Sequence, residues 1–169
     1  MPNFIKIYVR TVNRFNHAIG RATMYMIFVM IGVLFYSSVS KTFFDPALWT
    51  FEFAQFLMVA YFLLGGAYSL QLDGHVRMDL LHSTRSARTK LLWDTFTTLF
   101  MIAYLIGLLY GAISSTEYAL MYGERSYSSW RPYMWPIKVI MTFGIILMLL
   151  QAIARFFQDL AAYRGESLL

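Results

Sequence analysis

Asp73-Gly74-His75-Val76-Arg77-Met78-Asp79-Leu80-Leu81 is a polar stretch in the middle of a chain that is otherwise apolar enough to lie in a membrane. Two charge-free runs precede it and two follow it, so the fold reads outward from this hinge. Of 169 residues, 59% are apolar and 14% charged, whereas an ordinary soluble domain has roughly 45–50% and 25%. The chain reads as an all-α integral membrane protein with four transmembrane helices.

Toward the N-terminus, residues 53–72 form the second span, stopping at Asp73-Gly74. Asp45-Pro46 before it is a helix-start signal, with Asp as the capping residue and Pro at the first helical position. Ala47, Leu48, Trp49, Phe51 and Phe53 then read as a short interfacial helix with aromatic anchors. Residues 22–40 are the first span, close to the ~20 residues needed to cross a ~30 Å hydrocarbon core. In residues 1–21, Lys6, Arg10 and Arg14 recur every four positions while Phe4, Ile5, Tyr8, Val12 and Phe15 fill another face. This predicts an amphipathic helix lying along the headgroups before it turns into the first span. A basic flank that only orients that span explains the same residues. A cleavable signal peptide does not fit, because the apolar run is long and ends in Ser-Val-Ser-Lys without a small-x-small site.

Toward the C-terminus, residues 95–116 are the third span. Glu117 to Arg131 reads as a polar loop, with Gly123 and three serines in it. Trp130-Arg131-Pro132-Tyr133-Met134-Trp135-Pro136 leads into the fourth span, residues 139–154. Sixteen residues cover only about 24 Å, so Lys138 and Arg155 are expected to snorkel. The whole chain is one four-helix membrane domain.

The fourteen Lys and Arg residues fix an expected orientation. Ten lie before span one, around the hinge and after span four. Lys41, Arg125, Arg131 and Lys138 lie on the other side. That asymmetry places both termini and the hinge in the cytoplasm. The basic residues flank apolar runs instead of forming one polar surface, which argues against nucleic acid as a partner.

An ionisable side chain at the bilayer centre costs at least ~2.5–3.5 kcal/mol and marks a functional site. No span carries one there: Glu52, Asp94, Glu117 and Lys138 all sit at span ends, within reach of water. The chain alone is therefore not read as a pump, a proton relay or a charged-substrate carrier. Glu52 stands out, because it opens span two and can pair with a cation of a neighbouring chain. The absence of Cys excludes disulfides and thiolate clusters. His17 and His75 near one membrane face raise the alternative of a redox-complex anchor binding haem or quinone. Yet they flank basic loops where haem ligands normally point into a bundle from within spans. His75 and His82, seven apart, lack a third ligand, so no metal or cofactor is expected. On span three, Ala103, Gly107, Gly111 and Ser115 form a stripe of small residues that predicts close helix packing, within this bundle by preference or against a partner.

Four spans with both termini inside, His75-Val76-Arg77-Met78-Asp79-Leu80-Leu81 between spans two and three, Glu52 opening span two, and Gly123 before a Trp/Pro-rich lead-in to span four together resemble the DctQ-type small membrane subunit of a tripartite ATP-independent periplasmic (TRAP) transporter. The resemblance covers roughly residues 18 to 160. It implies a non-catalytic scaffold in the bacterial inner membrane, partnered by a large elevator-type permease subunit, membrane lipids and a periplasmic substrate-binding protein. That complex would perform secondary active, cation-coupled uptake of an organic acid. Carried over by position, His75, Arg77 and Asp79 form the cytoplasmic hinge, where Arg77 and Asp79 pair with neighbouring loops or with the partner. On the outer face, Arg125, Trp130 and Arg131 are candidates for docking the periplasmic protein or the large subunit. Trp130, Tyr133 and Trp135 are equally explained as an interfacial aromatic belt.

Overall fold

The computed structural model describes residues 3–72 and 87–163, and these are almost entirely helical. Among the described residues there are five helices: α1 (Asn3–Met24), α2 (Met26–Phe43), α3 (Trp49–Gln71), α4 (Ala87–Tyr122) and α5 (Trp135–Tyr163). Four segments are long and apolar enough to cross a membrane, with α1 and α2 together counting as one. The protein is a multi-pass, all-helical membrane protein, as its composition predicts.

The helices outrun the charge-free windows that announce them. α4 has 36 residues, about 54 Å at 1.5 Å per residue. It continues through Glu117, which is exposed and needs no loop to reach water. Its end is set by backbone chemistry: Gly123 takes the left-handed conformation (φ 58°), and Glu124 N–H bonds the Ala119 carbonyl at 3.2 Å. That is a Schellman cap, whose left-handed position glycine occupies without steric cost. α5 has 29 residues, about 43 Å, ample for a crossing. The snorkelling expected of Lys138 is replaced by an ion pair with Glu124 and a 3.4 Å bond to the Ser115 carbonyl. Arg155 pairs with Asp159 one turn on, at 3.2 Å.

At the other end of the chain, α1 does not turn away before the first span. Tyr25 keeps helical angles, and the ladder merely tightens there through i→i−3 bonds from Tyr25 to Ala22 and from Phe28 to Tyr25. α1 and α2 form one 41-residue rod, about 62 Å long. The face expected to be wholly apolar is divided. Ile5, Tyr8 and Val12 pack inward, while Phe4 and Phe15 remain exposed. Before α3 there is a single turn in place of a short helix. Asp45 does not cap it; Ser40 Oγ donates to the Asp45 carbonyl at 2.7 Å. Thr50, fully buried, bonds the Ala47 carbonyl and Ser37 Oγ, which closes the α2–α3 hairpin without a cap.

These helices form a layer instead of a closed bundle. α4 makes its extended contact with α5, α5 also packs on α3, and α3 packs on the α1–α2 rod; α1 reaches α5 beyond the end of α3. The order across the layer is α1–α2, α3, α5, α4. Neighbours approach through small residues. A Cβ on Gly144 would lie 2.9 Å from Leu63 Cβ and 3.0 Å from its carbonyl oxygen, and one on Gly20 would overlap the Tyr68 side chain. Among the described residues, one buried apolar cluster forms around Val9, Val12, Ala154 and Ala161 and another around Leu70, Leu105 and Ala152. Both broad faces of the layer carry exposed apolar side chains, and among the described residues nothing covers them.

Candidate functional site

α4 carries two stripes with different fates. Thr98, Leu105, Ala112 and Ala119 are buried and recur every seven residues, with Met101, Ile102 and Thr116 between them. This is a heptad seam, which holds α4 to α5 as in a coiled coil. At its loop end the seam is polar: the Thr116 and Thr142 hydroxyls lie 2.9 Å apart, and Thr142 Oγ1 donates to the Lys138 carbonyl at 2.9 Å. The heptad pattern is visible in the sequence once Thr98 is allowed into it; a search for small residues alone passes over it.

The second stripe is the one whose spacing predicts close packing within the bundle. Ala103, Gly107 and Gly111 are exposed, Ser115 is half-buried, and a Cβ added at Gly107 or Gly111 would meet nothing within 4 Å. Among the described residues the expected packing inside the chain is therefore absent. The stripe is offset from the seam and opens a shallow groove of about 480 Å³, completed by Tyr104, Leu108 and Ala112 on α4 and by Met141 and Ile145 on α5. Its lining is almost wholly apolar and holds no titratable group besides the Tyr104 phenol. The only side-chain polar groups in this lining are the Tyr104 and Ser115 hydroxyls, and the stripe of small residues admits a helix backbone closely.

The α4–α5 connection is ordered. Ser126 N–H bonds the Pro132 carbonyl at 3.0 Å and Met134 N–H bonds the Glu124 carbonyl at 2.9 Å, so Arg125 and Tyr133 face each other as an antiparallel bridge. The Arg125 guanidinium stacks 4.1 Å from the Tyr133 ring centroid and also bonds its hydroxyl. Trp130 and Arg131 lie near the tip, both exposed, and Arg131 adopts a left-handed φ of 48°. The three outer-face candidates thus belong to one hairpin, with Arg125 on an arm and Trp130 and Arg131 at the turn. Tyr127 at the same tip is fully exposed and escapes a reading that looks for charge and tryptophan.

Glu52 is not the solvated carboxylate that its place at a span end suggests. It is only 7% exposed; Ser126 Oγ donates to Oε1 at 3.5 Å, and the buried Oε2 has no partner among the described residues. It latches the hairpin to α3. The hinge residues His75, Arg77 and Asp79 lie outside the described residues. His17 is engaged locally, its Nε2 3.1 Å from an Arg21 nitrogen and its ring edge-on to Tyr68 with centroids 5.3 Å apart. Among the described residues no three His, Asp or Glu gather as metal ligands.

The sequence matches the family model for the DctQ component of tripartite ATP-independent periplasmic transporters over residues 30–162, which covers all four spans except the start of the first. The chain belongs to the DctQ family. No individual curated protein shows significant similarity to it. For a DctQ component, a transporter part, an open apolar groove that admits a neighbouring helix is coherent. The redox-anchor alternative finds no support in this family or in the contacts of His17.

Proposed function

We propose that this chain is the non-catalytic small permease subunit of a TRAP transporter, and that it scaffolds a large elevator-type subunit during cation-coupled uptake of an organic acid delivered by a periplasmic binding protein. One observation carries the reading: in a chain of a three-component transporter family, the Gly107–Gly111 stripe is open although it has the spacing that lets helices approach closely. In lipid, where no hydrophobic force drives helices together, such stripes matter for the contact they make, and none of the described residues supplies that contact here, which supports one from another chain. A layer one helix thick suits a wall laid against a larger body, with lipid filling the remaining gaps. Alternating access in secondary transporters proceeds by moving one element against another around a site of broken helices and charges. The described spans have no such site, which fits the stationary side of the machine.

In this reading the protein lies in the bacterial inner membrane with both termini cytoplasmic, as the ten-to-four distribution of cations argues. His75, Arg77 and Asp79 then form the cytoplasmic hinge, and Asp79→Ala lowers complex yield and uptake together while leaving substrate affinity unchanged. Gly107 and Gly111 face the large subunit. Arg125, Trp130 and Arg131 present the outer hairpin to the periplasmic protein; reversing the charge of both arginines slows transport if they dock it and leaves the rate intact if they do not. The test of the whole reading is gentle extraction of the tagged subunit from its native membrane. A polytopic permease in fixed ratio is the expected companion. A flavoprotein or iron–sulfur partner would overturn the assignment.

A further inference from the structure

The outer surface of α1 is absorbed neither by the fold nor by the scaffold role. At 100° per residue, its side chains divide into three sectors. The first, Val9, Val12, Asn13, Asn16, Gly20 and Thr23, is buried against α3 and α5. This docking is polar and specific: Asn16 Nδ2 donates to Gln151 Oε1 at 2.7 Å, Gln151 Nε2 donates to Asn13 Oδ1 at 2.9 Å, and Gly20 admits Tyr68. The second sector, about 80° wide, holds Lys6, Arg10, Arg14 and Arg21, all exposed. The third holds Phe4, Ile7 and Phe15, which are 79%, 64% and 52% exposed.

We infer that this outer surface is a binding site for anionic phospholipid. The charge is uncompensated: α1 contains no Asp or Glu, Lys6, Arg10 and Arg14 have no ion pair among the described residues, and Asp159, the acid on the neighbouring α5, is paired with Arg155. Successive cations rise by about 6 Å, so Lys6 to Arg14 spans about 12 Å, enough for more than one headgroup. The docked face closes the alternative of hiding the aromatic stripe by rotation, since turning α1 would strip Asn13, Asn16 and Gln151 of their partners. The ligand must therefore offer an anion and hydrocarbon in adjacent strips. A phospholipid does so, with its phosphate on the cations and its acyl chain beside Phe4, Ile7 and Phe15. A soluble polyanion would satisfy the cations and leave three large apolar side chains in water.

The chain has no cysteine, so Ala18→Cys, at an exposed position of α1 outside the proposed contacts, supplies one labelling position in the full-length protein. In nanodiscs of phosphatidylcholine containing phosphatidylglycerol, energy transfer from a dye at this position to headgroup-labelled phosphatidylglycerol should exceed transfer to equally labelled phosphatidylcholine. Each cation removed should weaken the preference by roughly fivefold. Arg10→Lys/Arg14→Lys/Arg21→Lys keeps it, and Lys6→Gln/Arg10→Gln/Arg14→Gln loses it. The unsubstituted cationic helix already decides the matter if the glutamine variant fails to insert. Equal transfer to both lipids overturns the inference. So does a preference abolished by millimolar inorganic phosphate at constant ionic strength, because a small-anion site would then suffice.

Discussion

Two glycines in neighbouring helices have opposite duties. Gly144 lies against Leu63 so closely that any side chain meets backbone, whereas Gly107 faces open space. Gly144→Ala should therefore destabilise the detergent-solubilised subunit by about 1–3 kcal/mol, the range for overpacking a core. Gly107→Ala should leave it unchanged or raise its stability by up to ~1 kcal/mol through helix propensity; thermal unfolding of the isolated subunit reads both. Glu52→Gln is the third residue-level test. An amide of the same volume retains the Ser126 contact and removes a carboxylate whose Oε2 is buried without a partner among the described residues, so the isolated subunit keeps or gains stability. A loss above ~1 kcal/mol would mean that the charge of Glu52 is satisfied inside the subunit. The sequence marks Glu52 as notable by its position, but its burial is set by a hairpin more than seventy residues away. Local context cannot supply that.

The helices were the most legible part of the chain and their ends the least. A window that stops at the first charge ends span three at Thr116, yet an exposed Glu117 costs a helix nothing and Gly123 is the residue that stops it. The amphipathic pattern of α1 is plain in its periodic cations. Its docked face was hidden, because asparagines look like solvent-facing residues until Gln151, 135 positions beyond Asn16, is brought against them. This pairing makes a prediction at the level of the element. Gln151→Leu leaves the amides of Asn13 and Asn16 unpaired beside α5 and should cost about 1–3 kcal/mol for each group left unsatisfied. Asn13→Leu/Asn16→Leu/Gln151→Leu replaces all three partners with apolar groups and should recover most of that loss. Unfolding temperatures of the two variants give the comparison. Equal destabilisation would show that α1 is held by packing around Val9 and Val12 and not by its amides.

Across the whole molecule, the decisive property is that four spans make a layer with two apolar faces. Composition does not reveal this, since a side chain that meets lipid and one that meets a partner are drawn from the same residues. The small-residue stripe on α4 signals close approach without saying to what, and only the geometry shows that α5 uses the neighbouring heptad and leaves the groove free. A scaffold that meets its permease through this groove should lose its partner without losing its fold when the groove is filled. The most direct test is affinity purification of the tagged subunit from its native membrane, unsubstituted and as Gly107→Leu/Gly111→Leu. The account predicts that the unsubstituted subunit brings down a large permease in fixed ratio, and that the variant is recovered folded, at unchanged unfolding temperature, without it. A variant that retains the permease would show that the open face of α4 is not the subunit interface, and an unsubstituted subunit that brings down no permease would contradict the scaffold assignment itself.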